Sequence, residues 1–163
     1  MNTFDVPEIK ISDKFREQVT MDFFAGRFDE QITIGYQDVL TCSDSPWQEY
    51  FSDILSHLKL PVEWAYLIHL PANEFVAPHI DNETLDDDCR LTLLNIPIYP
   101  VGPRYAHLRY VDEDRGWCDH AFCLRSDVIH SVDPTDVDRL NIQVPFRHKI
   151  DKMYEFYTNG ELV

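Results

Sequence analysis

The spacing of hydrophobic positions changes once along the chain, near Pro61. Before it, apolar residues recur at three- and four-residue steps. Phe15, Val19, Phe23 and Phe24 share one helical face behind Ser12, a residue suited to cap a helix start, and Gly26 stops the run. A second helix is predicted to open at Ser45-Pro46-Trp47-Gln48. There an N-cap serine, a proline at the first helical position and a glutamine placed for a capping box stand together. Trp47, Tyr50, Phe51, Ile54, Leu55 and Leu58 follow at helical spacing, an apolar stripe suited to lie on a sheet. Between the two helices, Gln31 to Val39 alternates weakly and reads as one outer strand. Residues 1 to 10, with Pro7, read as an opening strand or loop.

After Pro61 the apolar runs shorten to strand length and are divided by turn residues. The predicted strands are Trp64 to Leu70, Glu74 to Asp81, Arg90 to Tyr99, His107 to Val111, Trp117 to Arg125, Asp127 to Val132 and Arg139 to Val144. Asn82 to Asp88 is a polar loop, Pro100-Val101-Gly102-Pro103 a turn, and Asp112 to Gly116 a charged hairpin loop. Seven short strands at even spacing predict a mainly β fold with flanking helices, a jelly roll or double-stranded β-helix of the cupin-like kind. No linker or repeat divides the 163 residues. One domain is expected, with residues 1–60 as support, 61–146 as the jelly-roll core and 147–163 as a C-terminal tail. Met153, Phe156 and Tyr157 make that tail a candidate to dock on the barrel or on a second subunit, which admits a homodimer.

Candidate chemistry gathers at the strand ends. In Ala77-Pro78-His79-Ile80-Asp81 an imidazole and a carboxylate stand two residues apart, on the same face if the segment is a strand. His130, at the end of the run Asp127-Val128-Ile129, is the best third ligand, with His107 in reserve. Two histidines and one carboxylate form the facial triad of non-heme Fe(II) sites, which leaves the opposite face of the metal open. Nine residues after His130, Arg139 begins a strand whose alternation puts Arg139, Asn141 and Gln143 on one face. An inward arginine there is suited to clamp a dicarboxylate with a two-pronged hydrogen bond; the bland alternative pairs it with Asp136 or Asp138 at the surface.

Composition narrows the partners. With 29 acidic against 14 basic residues, the formal charge of -15 disfavours phosphate backbones and anionic membranes, so neither nucleic acid nor a membrane is an expected direct partner. Of Arg90, Arg104, Arg109, Arg125 and Arg139, one or two are expected to face a pocket. Cys42, Cys89, Cys118 and Cys123 include no CxxC pair and no dense framework, and with no signal peptide in view the expected home is cytoplasmic. Cys118-Asp119-His120-Ala121-Phe122-Cys123 fits no common zinc spacing and reads as packed strand cysteines.

The order His79-x-Asp81, then His130, then Arg139 resembles the 2-oxoglutarate- and Fe(II)-dependent oxygenases. Cys89-Arg90-Leu91-Thr92-Leu93 and the segment Phe122 to Val132 are most similar to their aspartyl/asparaginyl β-hydroxylase and proline hydroxylase branch. The resemblance spans roughly residues 64 to 146. It implies Fe(II) on His79, Asp81 and His130, with 2-oxoglutarate as co-substrate and its distal carboxylate on Arg139. The implied reaction hydroxylates a C–H bond of an amino acid, free or within a peptide or protein. Arg90 matches an arginine of the β-hydroxylase branch, but Thr92 stands where that branch carries another. Asp81 supplies a carboxylate that the aspartyl/asparaginyl enzymes lack, which moves the chain towards ordinary facial-triad hydroxylases. Tyr66, Asn95 and Asn141 are candidates to hydrogen-bond the co-substrate, or equally are satisfied interior polar groups. The competing readings are a cupin-like metal-binding barrel without turnover, which has no use for an inward Arg139, and a different metal enzyme on the same barrel, a kind that usually shows three or four histidine-rich ligands at other spacings.

Overall fold

A computed structural model describes residues 1–34, 37–42, 46–81, 91–100, 108–116 and 120–163. Ser45, Cys89, Arg90, Arg104, His107, Cys118 and the predicted 82–88 loop lie outside the described residues.

The strands are β1 (Thr3–Val6), β2 (Phe28–Ile34), β3 (Gln37–Cys42), β4 (Tyr66–Leu70), β5 (Val76–His79), β6 (Thr92–Tyr99), β7 (Leu108–Tyr110), β8 (Asp114–Arg115), β9 (Ala121–Arg125), β10 (His130–Val132) and β11 (Arg139–Phe146). They form two antiparallel sheets. The larger runs β1-β9-β6-β11-β4-β3-β2 and the smaller β5-β10-β7-β8. The alternation of β11 decides how they stack. Leu140, Ile142 and Val144 enter the main core, where Leu94, Ile96 and Ile98 of β6 join them. Arg139, Asn141 and Gln143 therefore point the other way, towards the small sheet. On that second face Leu93, Phe122 and Leu124 pack with Leu108 and Tyr110 of β7.

Helices cover the outer face of the large sheet. In α1 (Asp13–Phe24) the Ser12 side chain accepts the Phe15 N–H at 3.2 Å, the predicted cap, and Gly26 after the last turn has φ +72°. A left-handed backbone there costs glycine nothing, which is why the helix ends at that point. Val19 is fully buried and Phe15 and Phe23 pack on the core. Phe24, expected on the same face, is 59% exposed. One residue is 100° of helix, and Phe24 instead sets its ring against the edges of Phe23 and Tyr99.

Three further expectations change. Gln31 to Val39 is not one strand but parts of the paired strands β2 and β3, with Phe28 opposite Cys42 and Ile34 opposite Gln37. The stripe after Pro46 is carried by two one-turn helices, α2 (Trp47–Tyr50) and α3 (Ser52–Leu55), not one long helix. Phe51 between them leaves helical geometry at φ -94°, ψ 13°, and neither helix has a side-chain cap bond. The stripe still serves its purpose, since Phe51 and Ile54 are buried. The expected hairpin loop at 112–116 contains β8, which pairs Leu108 with Arg115, so the jelly-roll region has eight strands among the described residues where seven were predicted.

The tail folds back as α4 (Ile150–Thr158), burying Ile150, Met153 and Leu162 in the main core. It docks on its own barrel. Among the described residues no helix is long and apolar enough to cross a membrane.

Candidate metal centre and its cleft

Strand pairing brings the first two histidines together. In the small sheet His130 is the Cα partner of His79, and their rings lie 4.4 Å apart at 49°. Strand β5 ends at His79, so Asp81 is not a strand residue as predicted. Its N–H donates instead to the Ser126 carbonyl at 3.1 Å, tying the segment after β5 to the buried residue that follows β9. This tie returns the Asp81 carboxylate to the histidines. Asp81 Oδ1 lies 3.0 Å from His79 Nε2 and 3.8 Å from His130 Nε2. One ligand atom from each of the three lies within 4.8 Å of the others.

The ring nitrogens are sorted by the backbone. His79 Nδ1 donates to the Ala77 carbonyl at 2.8 Å and His130 Nδ1 to the Val128 carbonyl at 2.9 Å. A carbonyl only accepts, so both Nδ1 atoms carry protons and both Nε2 atoms face Asp81 as prospective ligands. The two rings differ in exposure. His130 is 6% exposed, and burial lowers its pKa against the opposing pull of the Asp81 charge. His79 is half-buried, and its hydrogen bond to Asp81 raises its pKa despite some desolvation. A divalent cation would take the place of the proton shared at that carboxylate. Two neutral imidazoles and one carboxylate fit a metal of the Fe(II) type, with a facial set and positions left for other ligands.

The site opens into a cleft between the sheets. Its wall carries Arg139, Asn141 and Gln143 of β11 and Asn95 of β6, with Ile68 and Leu70 of β4 among the apolar lining. Arg139 is 2% exposed and Nη2 donates to the Glu74 carbonyl at 3.2 Å. The surface pairing considered for it does not occur with Asp138, whose carboxylate accepts the Ala72 N–H at 2.9 Å and lies 3.6 Å from His69 Nε2. Burying a guanidinium costs several kcal/mol unless charge or hydrogen bonds offset it, and this one shares its wall of the cleft with the polar side chains of Asn95, Asn141 and Gln143.

Of the remaining expected residues, Asn95 and Asn141 line the cleft and are joined by a side-chain hydrogen bond of 2.5 Å. Tyr66 lies on the cleft side of β4, 5% exposed and opposite Gln143, but does not line the cleft. His69 is tied to Asp38 at 3.1 Å and His120 lies 3.1 Å from Asp5, consistent with structural roles. Two residues escaped the sequence reading. Gln143 lines the cleft; its place on the Arg139 face was the available signal. Tyr110, the Cα partner of His130 on its other side, puts its ring 5.9 Å from the imidazole and donates its hydroxyl to the Arg125 carbonyl at 2.9 Å. No local pattern announces it. Burial pushes its phenol well above the usual range, so it serves as a neutral support.

No protein-family model matches the chain, and no curated protein matches it by sequence. Solved structures do match in shape. A prolyl-4-hydroxylase from Pseudomonas putida superposes with a TM-score of 0.61 at 15% identity, covering 91% of this chain and 93% of that one. A prolyl hydroxylase from Trichoplax adhaerens, solved with a peptide fragment of the hypoxia inducible factor oxygen degradation domain, gives 0.62 at 12% identity over 89% and 83%. HygX from Streptomyces hygroscopicus, solved with nickel, 2-oxoglutarate and hygromycin B, gives 0.57 at 11% identity over 88% and 82%. Likeness at such low identity speaks to architecture, and it agrees with the two stacked sheets: the chain has the double-stranded β-helix fold of the two prolyl hydroxylases.

Proposed function

We propose that the protein is a 2-oxoglutarate-dependent dioxygenase that hydroxylates a C–H bond of an amino-acid side chain, carried free or within a peptide. The observation that carries this reading is the pairing of His79, Asp81 and His130 at one end of a cleft with a buried arginine, Arg139, in its wall. A metal-binding barrel without turnover would need the first three and has no use for the fourth.

His79 Nε2, His130 Nε2 and an Asp81 oxygen would hold Fe(II). The bound iron, with oxygen, supplies the oxidising chemistry by which 2-oxoglutarate becomes succinate and carbon dioxide and the substrate gains a hydroxyl group. The chain's own contributions are positional. Arg139 receives the far carboxylate of the keto acid, and its planar fork matches that group better than an ammonium would. Asn95 and Asn141 are polar groups beside the same ligand. Leu93, Leu108, Leu124, Val76 and Val132 keep the interior apolar, which excludes bulk water and strengthens the charged contact. Asp81 and His79, the two more exposed ligands, stand where a substrate side chain would arrive.

The acidic surface argues against nucleic acid or an anionic membrane as partner, and the cysteine pattern suits a reducing, cytoplasmic setting. A peptide ligand in the Trichoplax adhaerens structure belongs to that protein, but it makes peptidyl residues the first substrates to try.

The test is anaerobic addition of Fe(II) and then 2-oxoglutarate to metal-free protein, followed by the visible charge-transfer band of a chelated keto acid. The band is expected in the wild type and absent in His79→Ala and His130→Ala. Tight metal binding with no band in the wild type would leave only the metal-binding barrel.

A further inference from the structure

His79 and His130 are held in the ladder of the small sheet, whereas Asp81 lies beyond the end of β5. The contact of its carboxylate with His79 is the one a cation would replace. What then keeps the residue in place is its backbone bond to the Ser126 carbonyl at 3.1 Å. That carbonyl belongs to a corner, Arg125-Ser126, whose four backbone polar groups are all engaged. The Arg125 N–H donates to the Asn2 carbonyl at 2.8 Å, the Ser126 N–H donates to the Leu91 carbonyl at 3.2 Å, and the Arg125 carbonyl accepts the Tyr110 hydroxyl at 2.9 Å. Three of the four bonds join backbone to backbone, and the fourth is made by a side chain. The same side chain sets its ring 5.9 Å from the His130 imidazole, its register partner. One buried phenol therefore stands behind two ligands that arrive on different segments.

We propose that Tyr110 is a positioning residue of the metal centre: its hydroxyl fixes the Arg125-Ser126 corner, and that corner sets where the Asp81 carboxylate stands relative to His130. This rests on the metal site of the oxygenase reading above and deepens it. The coupling runs through one peptide plane. The Arg125 carbonyl and the Ser126 N–H belong to the same rigid unit, so the hydroxyl on one side and Leu91 on the other fix its rotation. The next carbonyl along the chain holds Asp81. A buried carbonyl that loses its donor is left at a cost and turns towards another, which swings the unit and shifts the ligand. Groups that orient metal ligands from outside govern metal affinity in this way. A phenol that merely finds an acceptor for its own buried hydroxyl would contribute to stability and leave the metal unaffected.

The experiment is a calorimetric titration of metal-free protein with Co(II), at a temperature where each variant is fully folded. Tyr110→Phe keeps the ring beside His130 and removes only the hydroxyl. It should weaken Co(II) about threefold to tenfold, the worth of one buried hydrogen bond. In an Asp81→Ala background, where the two histidines bind the ion weakly, the same change should alter affinity by less than about 1.5-fold, because the ligand it positions is gone. A lower urea midpoint with Co(II) affinity unchanged would make Tyr110 a structural residue only and overturn the proposal. A loss as large with Ala at position 81 as with Asp also overturns it, since the hydroxyl would then act by another route. If Tyr110→Phe does not fold, the wild type carries the test. Linkage is reciprocal, so Zn(II) should slow exchange of the Tyr110 hydroxyl proton and of the Asp81 amide together, by about threefold or more, as read by NMR. An Asp81 amide that slows alone overturns the proposal. No binding of Co(II) or Zn(II) to the wild type fails the metal site itself, and the positioning role falls with it.

Discussion

His79 and His130 are direct partners across β5 and β10, and each turns its Nδ1 onto the carbonyl two residues before it, at 2.8 and 2.9 Å. The same local loop on two neighbouring strands presents two Nε2 atoms to one carboxylate. Each ring is tied to its own backbone, so both Nε2 atoms are aimed before any metal arrives. Preparation of this kind lowers the ordering cost of binding.

Metal binding should therefore raise stability by simple linkage. At a free Fe(II) or Mn(II) concentration of about 100 times the dissociation constant, the gain is about 2.7 kcal/mol, or a Tm rise of roughly 5–10 °C for a chain of this size. A chelator should reverse it. Asp81→Ala and His130→Ala should reduce the rise to about 2 °C or less, measured by differential scanning calorimetry with and without metal.

Arg139 separates binding of the keto acid from binding of the metal. Arg139→Met should leave Fe(II) affinity within about twofold and weaken 2-oxoglutarate at least about tenfold, since each hydrogen bond to a charged group contributes roughly 1.5–3 kcal/mol. Arg139→Lys keeps the charge but not the planar fork, and should fall between. Calorimetric titration with each ligand in turn reads both numbers. Unchanged 2-oxoglutarate affinity in Arg139→Met would remove the assigned role.

Much of this architecture was legible because it rests on alternation. The period-two pattern at Arg139-Leu140-Asn141-Ile142-Gln143-Val144 separates core from cleft residue by residue, and the folded strand keeps that division. His79 and His130 were readable as polar residues closing short apolar runs, and in the fold they end β5 and open β10. Asp81 was found by the wrong route: it meets His79 through a backbone bond to Ser126, a contact 45 residues away that no local spacing encodes. Tyr110 behind His130 and Asn95 beside Gln143 are likewise products of sheet register. Where the sequence misled, the signal was local and the cause tertiary. The aromatic stripe after Pro46 has helical spacing, yet the chain leaves helical geometry at Phe51, while Phe51 and Ile54 still reach the core.

Asp22 provides a pH-dependent tie between α1 and the segment that follows β3. Its carboxylate accepts from Gln18 at 2.9 Å, Arg27 at 2.9 Å and the Tyr50 hydroxyl at 2.8 Å. Burial opposes ionisation, but these partners outweigh it and hold the carboxyl below its ordinary value. A pKa depressed by folding means the unfolded chain takes up this proton first as pH falls. The stabilisation is thus complete above the ordinary carboxylate range and is lost as pH drops through the lower, folded value. Asp22→Asn should be less stable than the wild type at pH 7, and the difference should shrink towards zero in strong acid. Urea denaturation at pH 7, 4 and 2.5 checks this; a difference independent of pH would mean that packing, not charge, accounts for it.

Met153 and Phe24 give opposite expectations for two large apolar side chains on helices. Met153 of α4 is fully buried where the tail meets the main core, whereas Phe24 at the end of α1 is 59% exposed. Met153→Ala removes atoms from a packed site and leaves a cavity, at a cost of about 2–5 kcal/mol. Phe24→Ala loses two edge-on ring contacts and little burial, and should cost under about 1 kcal/mol. Because α4 packs on β9 and β1, at the edge of the large sheet away from β4, the Met153 change should lower the urea midpoint while Fe(II) affinity at low temperature stays within about twofold. Loss of metal binding at temperatures where Met153→Ala is still folded would mean that the tail supports the site directly, through the strand β9 that leads to Ser126.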